Sequence, residues 1–385
     1  METSVKTKTF KHVILEGDNY EIGKKQGEEL LSVPEFVKWY TSPPAGKGKL
    51  SDKDYAEAVN FFDKYCPGIN AEIEGMAEIL RVHPREIIYY AFTHTPKGNC
   101  SHFALLPGIT ENGHTMVGRS YEWNDTQDDF RLCTTKIKGK AAHLGFSLIM
   151  MGRIDGINEH GLSVTMSAGA PMREITAEGI KFWALIRTIL ENCKTTEEAV
   201  ETVMSTPVSF YLNLIIADKT GTAALAEIAC GKKEIHRINR ESKKQYVHST
   251  NHFTLNGMIQ ETTRRMKQSS DRYDAIERRL NTSLPKVSYS DIKGILCDKM
   301  PEGLTCHHYS DTLGTLWSLI FDLDECKADI CFGSPQVNEW YSFDLSSEQN
   351  KTHYEAKLPD EPADPSIWGN VELTKIMDIL SKTKI

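Results

Sequence analysis

Apolar residues in the first hundred positions recur mostly at helical spacing. Such spacing places them on one face of a helix, which can then pack against a core. A short β-type run over 9–15 comes first. The pattern then predicts helices over 18–31, 52–65, 69–80 and 84–92.

The predicted helix at 18–31 carries two further signals. Asp18 and Glu21 have the spacing of a capping box, in which each side chain bonds the other residue's backbone N–H. Gly23 and Gly27 lie four residues apart and therefore on one face. Glycine weakens a helix, so the pair predicts a close approach by another backbone.

After Cys100 the pattern changes to short β-type runs separated by turn signals such as Asn112-Gly113. Helical patterns interrupt these runs at 182–191, 196–204, 271–280 and 290–297. Predicted strands cover 102–106, 115–119, 132–137, 144–150, 162–166, 210–217, 222–227, 234–238, 245–248, 316–321, 329–332 and 339–343. This order predicts an α+β fold in which helices cover antiparallel sheets.

Composition excludes several classes of protein. The 385 residues are 40% hydrophobic and 25% charged, so a sizeable core is expected and wholesale disorder is not. There are 45 Lys and Arg against 53 Asp and Glu, a net charge of −8 with no basic block. A nucleic-acid partner is therefore not expected.

The N-terminal residues lack the apolar core of a secretory signal, and apolar runs are too short to span a bilayer. Nine scattered cysteines, an odd number, favour reduced thiols over a disulfide framework. We therefore expect a cytoplasmic protein without a membrane partner.

A metal centre is one alternative, since Cys306 and His307 lie near Cys326 and Cys331 in sequence. A structural zinc site usually uses close pairs of ligands, and the Cys326-x₄-Cys331 spacing is marginal. Cys331 also lies in an apolar run, where buried cysteine packs as a small hydrophobe. The pattern favours packing, and neither a metal nor a cofactor is expected.

Cys100 stands where the helical part of the sequence ends and the β part begins. Polar motifs follow it at the ends of predicted strands and at the start of a helix. Each has an ordinary reading as a surface ion pair, a turn or a helix cap, so their order along the chain is the informative feature. They are Gly118-Arg119-x₂-Glu122, Gly156-x-Asn158-Glu159-x-Gly161-Leu162, Thr250-Asn251 and Ser269-x₂-Arg272.

Together with Gly17-x₃-Glu21-Ile22-Gly23-x₃-Gly27, Glu72–Glu78 and Asn99-Cys100-Ser101, this series resembles the N-terminal-nucleophile amidohydrolases. It is most similar to the autoproteolytic family of acyl-coenzyme A:6-aminopenicillanic acid acyltransferase, and choloylglycine hydrolases are more distant. The resemblance implies a four-layer αββα sandwich, with two antiparallel sheets between helix layers.

The resemblance also implies roles for residues. Cys100 would be the nucleophile, exposed by self-cleavage of the Asn99–Cys100 bond. Residues 1–99 would be a mostly helical propeptide that remains as the small chain, and 100–385 the large chain, both in one structural domain. The freed α-amine, with an ordinary pKa of about 7.7–8.0, would serve as general base.

Further roles come from the same comparison. Arg119 would hold the thiolate and the amine, Asn251 would donate an N–H to the oxyanion, and Arg272 would lie near the nucleophile. Glu122 stands where relatives commonly carry Asp, and we expect it to orient the amine. Relatives often have asparagine near Ser167, so a backbone N–H there is the expected second oxyanion donor.

The resemblance implies an amidase or an acyltransferase acting on a linear carbon–nitrogen bond of an acylated small molecule. The sequence does not separate hydrolysis from transfer to an amine, or from use of a thioester, and it leaves a homo-oligomer open. A non-catalytic, unprocessed relative acting as a binding protein is the alternative.

Overall fold

The computed structural model describes residues 4–33, 37–38, 41, 50–93, 98–126, 128–169, 179–262, 264–346 and 352–371. Most helices lie close to their predicted bounds. Within the described ranges, the α-helices are α1 (Asn19–Leu31), α2 (Asp52–Tyr65), α3 (Ile69–Leu80), α4 (Pro84–Thr93), α5 (Phe182–Asn192), α6 (Thr196–Ser205), α7 (Lys267–Ser283) and α8 (Tyr289–Cys297).

The strands form two sheets. Their bounds are β1 (Ser4–Gly17), β2 (Asn99–Leu105), β3 (Met116–Trp123), β4 (Arg131–Ile137), β5 (His143–Leu148), β6 (Gly152–Arg153), β7 (Asp155–Asn158), β8 (Leu162–Ala168), β9 (Tyr211–Asp218), β10 (Thr222–Ala229), β11 (Lys232–Ile238), β12 (Tyr246–Ser249), β13 (His307–His308), β14 (Leu313–Asp322), β15 (Lys327–Phe332), β16 (Trp340–Asp344) and β17 (His353–Asp360).

The first sheet has the strand order β11-β10-β9-β8-β7-β5-β4-β1-β17, with β6 paired to β5. The second has the order β12-β2-β3-β14-β15-β16, with β13 paired to β14. Helices α5 and α6 pack on the first sheet, α7 and α8 pack on the second, and β2 contacts β8 and β9 across the gap. The predicted αββα sandwich is therefore confirmed.

One strand pair departs from the predicted antiparallel arrangement. β1 runs parallel to β4, with Lys11 opposite Arg131, and antiparallel to β17 on its other side. Parallel neighbours need a long crossover connection, and here the chain passes through helices α1 to α4 and then strands β2 and β3 before it reaches β4. β17 was also missed from the sequence, although Tyr354, Ala356 and Leu358 alternate as buried residues along it.

Glycines allow α1 to lie against α3, as predicted. A Cβ on Gly23 would collide with the Glu72 carbonyl group, and one on Gly75 would collide with the Tyr20 carbonyl oxygen. The capping box of Asp18 and Glu21 is present at the start of α1. Local sequence signals therefore fixed both where α1 begins and which face packs.

Three aromatic side chains pack together between the two sheets. The rings of Phe146 and Trp317 are stacked with centroids 4.0 Å apart, and Tyr121 lies 4.1 Å from Trp317. All three are buried. Tyr121 is opposite Cys100 in the β2–β3 register, so this aromatic core supports the strand that carries the cysteine.

Candidate active site

Cys100 lies on β2, within an unbroken strand that begins at Asn99. Only 1% of its surface is exposed. The Cys100 backbone N–H donates to Asn251 Oδ1 at 2.9 Å, and its carbonyl oxygen accepts from Arg272 Nη1 at 2.7 Å. Arg119 Nη2 lies 3.5 Å from the Cys100 sulfur. Three predicted residues from distant parts of the chain thus surround one cysteine.

Arg119 is held from behind by groups of the first sheet. Its Nε lies 3.0 Å from Asp155 Oδ2, and its Nη1 donates to the Met166 carbonyl oxygen. Asp155 in turn accepts from the Phe146 backbone N–H at 3.0 Å and from the Trp317 indole N–H at 3.2 Å. Asp155 therefore fixes the guanidinium that faces the sulfur.

Arg272 lies on α7, one turn after Gln268. Gln268 Oε1 accepts from Arg272 Nε at 3.2 Å, and Arg272 Nη1 also donates to Ser101 Oγ at 2.7 Å. Arg272 Nη2 donates to Asn251 Oδ1 at 2.9 Å. The side chain is fully buried, so it joins α7 to β2 and to the loop of Asn251.

Glu122 lies on β3 and faces Arg272 Nη1 at 3.4 Å. It also accepts from the Ser120 hydroxyl group and from Thr315 Oγ1 at 3.4 Å. The Cys100 N–H is bonded to Asn251, so in the intact chain Glu122 acts on Arg272 and not as a hydrogen-bond acceptor for that nitrogen. Its predicted role in orienting the free amine stays a prediction.

The loop of Asn251 is fixed by α7. The Asn251 backbone N–H donates to Ser269 Oγ at 2.9 Å, and Thr250 Oγ1 donates to the Ser269 carbonyl oxygen at 2.9 Å. Asn251 Nδ2 donates to the Ala168 carbonyl oxygen at 2.9 Å and to that of Gly98 at 3.3 Å. The amide N–H groups that would serve an oxyanion are thus directed at backbone oxygens near Cys100, and the oxyanion role stays a prediction.

Ser167 lies at the end of β8 beside this loop. Its hydroxyl group donates to the Thr250 carbonyl oxygen and accepts from Asn213 Nδ2 at 3.0 Å. The Ser167 side chain therefore supports the loop that presents Asn251. The expectation that its backbone N–H is an oxyanion donor stays a prediction.

Burial and the neighbouring positive charges have opposite effects on the pKa of Cys100. Burial raises the pKa of the Cys100 thiol to about 12, although the positive charges of Arg119 and Arg272 lower it. Burial also raises the pKa of Glu122 to about 7 against the effect of Arg272, and it raises the pKa of Asp155 against the effect of Arg119. In the intact chain the thiol is therefore protonated at neutral pH and needs a base.

A small cavity lies over Cys100. Among the described residues, its lining consists mainly of apolar side chains and small residues, together with the ring of Tyr121. Its lining residues are Gly98, Cys100, Tyr121, Ile154, Met166, Ala168 and Phe182. Such a wall suits an uncharged acyl group.

Sequence reasoning missed Asp155 and Gln268. Asp155 directly precedes the Gly156-x-Asn158 motif, and Gln268 lies four residues before Arg272, on the same helix face. Their positions beside motifs that had been singled out were the sequence signals that could have pointed to these two residues. Neither signal says which distant side chain each residue meets.

The four residues weighed as metal ligands have separate surroundings. His307 Nε2 lies 2.6 Å from Ser334 Oγ, and the Cys331 sulfur lies 3.6 Å from the Asn338 carbonyl oxygen. Among the described residues, the one group with ligand-like spacing is His114 with Asp322 and Asp324. His114 Nδ1 lies 2.9 Å from Asp322 Oδ2 there, as expected for an ion pair. In the same described ranges, no helix is long and apolar enough to cross a membrane.

The layered fold agrees with the class of N-terminal-nucleophile hydrolases, and Cys100 lies on an inner strand between two arginines. The family model for acyl-coenzyme A:6-aminopenicillanic acid acyl-transferase matches residues 109–337, more than half of the chain. The chain belongs to this family. The matched segment contains Arg119, Glu122, Asn251 and Arg272, and it begins after Cys100.

Solved structures that match this chain include penicillin V acylase from Agrobacterium tumefaciens, at 19% identity and a TM-score of 0.42, over 68% of this chain and 91% of that one. A variant of conjugated bile acid hydrolase from Clostridium perfringens has 14% identity and a TM-score of 0.45, over 69% and 99%. The Caenorhabditis elegans N-acylethanolamine-hydrolyzing acid amidase ortholog has 14% identity and a TM-score of 0.44, over 58% of this chain and 93% of that one. No curated protein matches significantly.

Proposed function

We propose that this protein is a cysteine amidohydrolase or acyltransferase that activates itself by cleaving the Asn99–Cys100 bond. One observation carries the proposal. The nitrogen, carbonyl oxygen and sulfur of Cys100 are each contacted by a different buried side chain, from Asn251, Arg272 and Arg119. A cysteine that only fills space needs no such set of partners.

In the activation step, the Cys100 sulfur attacks the carbonyl carbon of Asn99 and forms a carbon–sulfur bond. The Asn99–Cys100 carbon–nitrogen bond breaks, and the nitrogen takes up the proton that the thiol gives up, so that it becomes an amine. Water then hydrolyses the thioester, giving a carboxylate on Asn99 and a free thiol on Cys100. Residues 1–99 become the small chain and 100–385 the large chain.

In turnover, the new α-amine accepts the thiol proton while the sulfur attacks the acyl carbon of the substrate. The amine leaving group takes up a proton, and water or a second amine resolves the acyl-thioester. Arg119 and Arg272 stabilise negative charge in a site without bulk water, where such contacts are strongest. The apolar cavity over Cys100 supports an acylated small molecule as substrate.

Intact mass under denaturing conditions tests the activation step. We expect the wild-type chain of 43.4 kDa to separate into residues 1–99 and 100–385, and Cys100→Ala to remain whole. Cys331→Ala is the matched control, because that buried thiol also lies on a strand but faces backbone oxygens, and it should cleave normally. A wild-type chain that stays intact would contradict the proposal.

A panel of acyl amides, with added amines competing against water, tests turnover. Hydrolysis releases the free acid, whereas transfer yields a new amide in proportion to the added amine. Cleaved protein that forms no acyl-thioester with any amide of the panel would contradict the assigned reaction.

A further inference from the structure

Gln268 joins the residue before the scissile bond to the arginine behind it. Its Nε2 donates to Asn99 Oδ1 at 2.8 Å, and its Oε1 accepts from Arg272. The Gln268 side chain is fully buried, and Asn99 is 6% exposed. One carboxamide therefore contacts Asn99 directly and is linked through Arg272 to Cys100, on the other side of the bond that the proposed activation breaks.

The Asn99 side chain is also held at its other atom. Asn99 Nδ2 donates to the carbonyl oxygen of Thr312 at 3.5 Å, so the carboxamide lies between α7 and the start of β14. Meanwhile Arg272 Nη1 holds the carbonyl oxygen of Cys100 at 2.7 Å. With the Asn99 side chain and the Cys100 backbone both held, the peptide group between Asn99 and Cys100 has little freedom to rotate.

We propose that Gln268 is a positioning residue for self-cleavage, binding the Asn99 carboxamide so that the Asn99 carbonyl carbon is presented to Cys100. This rests on the proposed function, and it assigns the two contacts of Gln268 to different stages of the reaction. The Gln268–Asn99 contact is needed only for self-cleavage, because Asn99 is no longer joined to Cys100 once that bond is broken. The Gln268–Arg272 contact serves both stages.

The physical basis is the gain from holding two reacting groups in place. A bound geometry close to attack removes part of the entropic barrier, and small displacements are costly. A single neutral hydrogen bond of this kind corresponds to a rate change of about three- to tenfold. That is the size of effect expected from losing the Asn99 contact.

The test is a double-mutant cycle on the rate of self-cleavage, followed by intact mass at timed points after cell-free synthesis. Asn99→Ala and Gln268→Ala should each slow cleavage, by about three- to tenfold for the former. The loss in the double variant should be smaller than the product of the two single losses, because both changes remove one shared contact. Gln268→Glu keeps the shape and the acceptor for Arg272, removes the N–H toward Asn99, and should also slow cleavage.

Each variant is then left until cleavage is complete, and its turnover of one amide is measured. Asn99→Ala should match the wild type at this stage. Asn281→Ala is the control, because it removes another side-chain amide of α7, one that accepts from the Tyr246 hydroxyl group. This variant should cleave at the wild-type rate.

Three results would overturn the role of Gln268 alone, given a wild type that cleaves. The first is that Asn99→Ala cleaves itself at the wild-type rate. The second is that the two single losses in cleavage rate multiply in the double variant. The third is that cleaved Asn99→Ala loses as much amide turnover as it loses in cleavage rate. A wild type that never cleaves overturns this proposal and the proposed function together.

Discussion

Two buried groups of charges differ in how their arginines are used. In the first, which we call the boundary cluster, Arg187 of α5 meets Glu72 at 2.5 Å and Glu191 at 2.6 Å, and Lys140 meets Glu191 at 2.5 Å. In the second, around Cys100, Arg272 divides its N–H groups among neutral oxygens and lies 3.4 Å from Glu122.

The pKa values reflect this difference. Burial alone would raise the pKa of Glu191, but Arg187 and Lys140 lower it to about 2. Glu122 is equally buried, yet Arg272 opposes burial only in part and the pKa rises to about 7. The boundary cluster thus stabilises its charges, whereas the Cys100 site leaves one carboxyl group able to change charge near neutral pH. Perturbed groups of this kind concentrate at functional sites.

The boundary cluster also joins the two parts of the chain that the proposed cleavage would separate. Glu72 belongs to residues 1–99, while Arg187, Glu191 and Lys140 belong to 100–385. β1 provides a second contact between these two parts, since it belongs to residues 1–99 and is paired with β4 and β17 of residues 100–385. We expect these contacts to keep the two chains together after cleavage.

The largest expected effect is on stability, in the boundary cluster. Arg187→Met should lower the free energy of unfolding by about 3–5 kcal/mol, because it leaves Glu72 and Glu191 buried without their guanidinium partner. Urea unfolding measures the change. The exposed pair Arg237–Glu197 is the control, and Arg237→Met should cost at most about 1 kcal/mol. Equal losses at the two positions would contradict the comparison.

A smaller effect on rate is expected from Asp155→Asn. Asparagine can still accept from the Phe146 N–H but removes the charge that holds Arg119, so cleavage and turnover should each fall by about 10- to 150-fold, the equivalent of a hydrogen bond to a charged group. Timed intact mass and amide turnover measure the two rates. Unchanged rates in a folded variant would show that Arg119 does not need Asp155.

The smallest effect expected is a change in how the free energy of unfolding depends on pH. The pKa of Glu122 is raised from 4.5 to about 7, so its contribution to stability is complete below the ordinary value and is lost as pH rises through about 7. Glu227, which accepts from the Thr254 N–H, has its pKa raised by burial to the same value. Glu122→Gln and Glu227→Gln should therefore each reduce the loss of stability over this range.

Activity should separate these two glutamates. Above a pH of about 7 the ionised Glu122 pairs with Arg272 and holds its guanidinium in place, so the rate should fall as pH drops below this value. Glu122→Gln should remove that step from the pH profile of kcat/KM, while Glu227→Gln should keep it. A profile with the same step in both variants would assign the ionisation to another group, such as the α-amine.

The sequence by itself determined most helices and strands and several site residues. Helix bounds followed from caps, glycines and apolar spacing, which act over a few residues, as the Asp18 cap of α1 shows. Cys100, Arg119, Asn251 and Arg272 stood out because short motifs occur in one order along the chain. Their contacts place all four together.

Only the tertiary structure decided which distant groups meet. Asp155 contacts Arg119 because β7 and β3 lie in facing sheets, and Gln268 reaches Asn99 because α7 packs on β2. The parallel pairing of β1 with β4 depends in the same way on how the chain crosses over. Residues far apart in sequence leave no periodic signal of their contact, so these partners are fixed by packing of the whole fold.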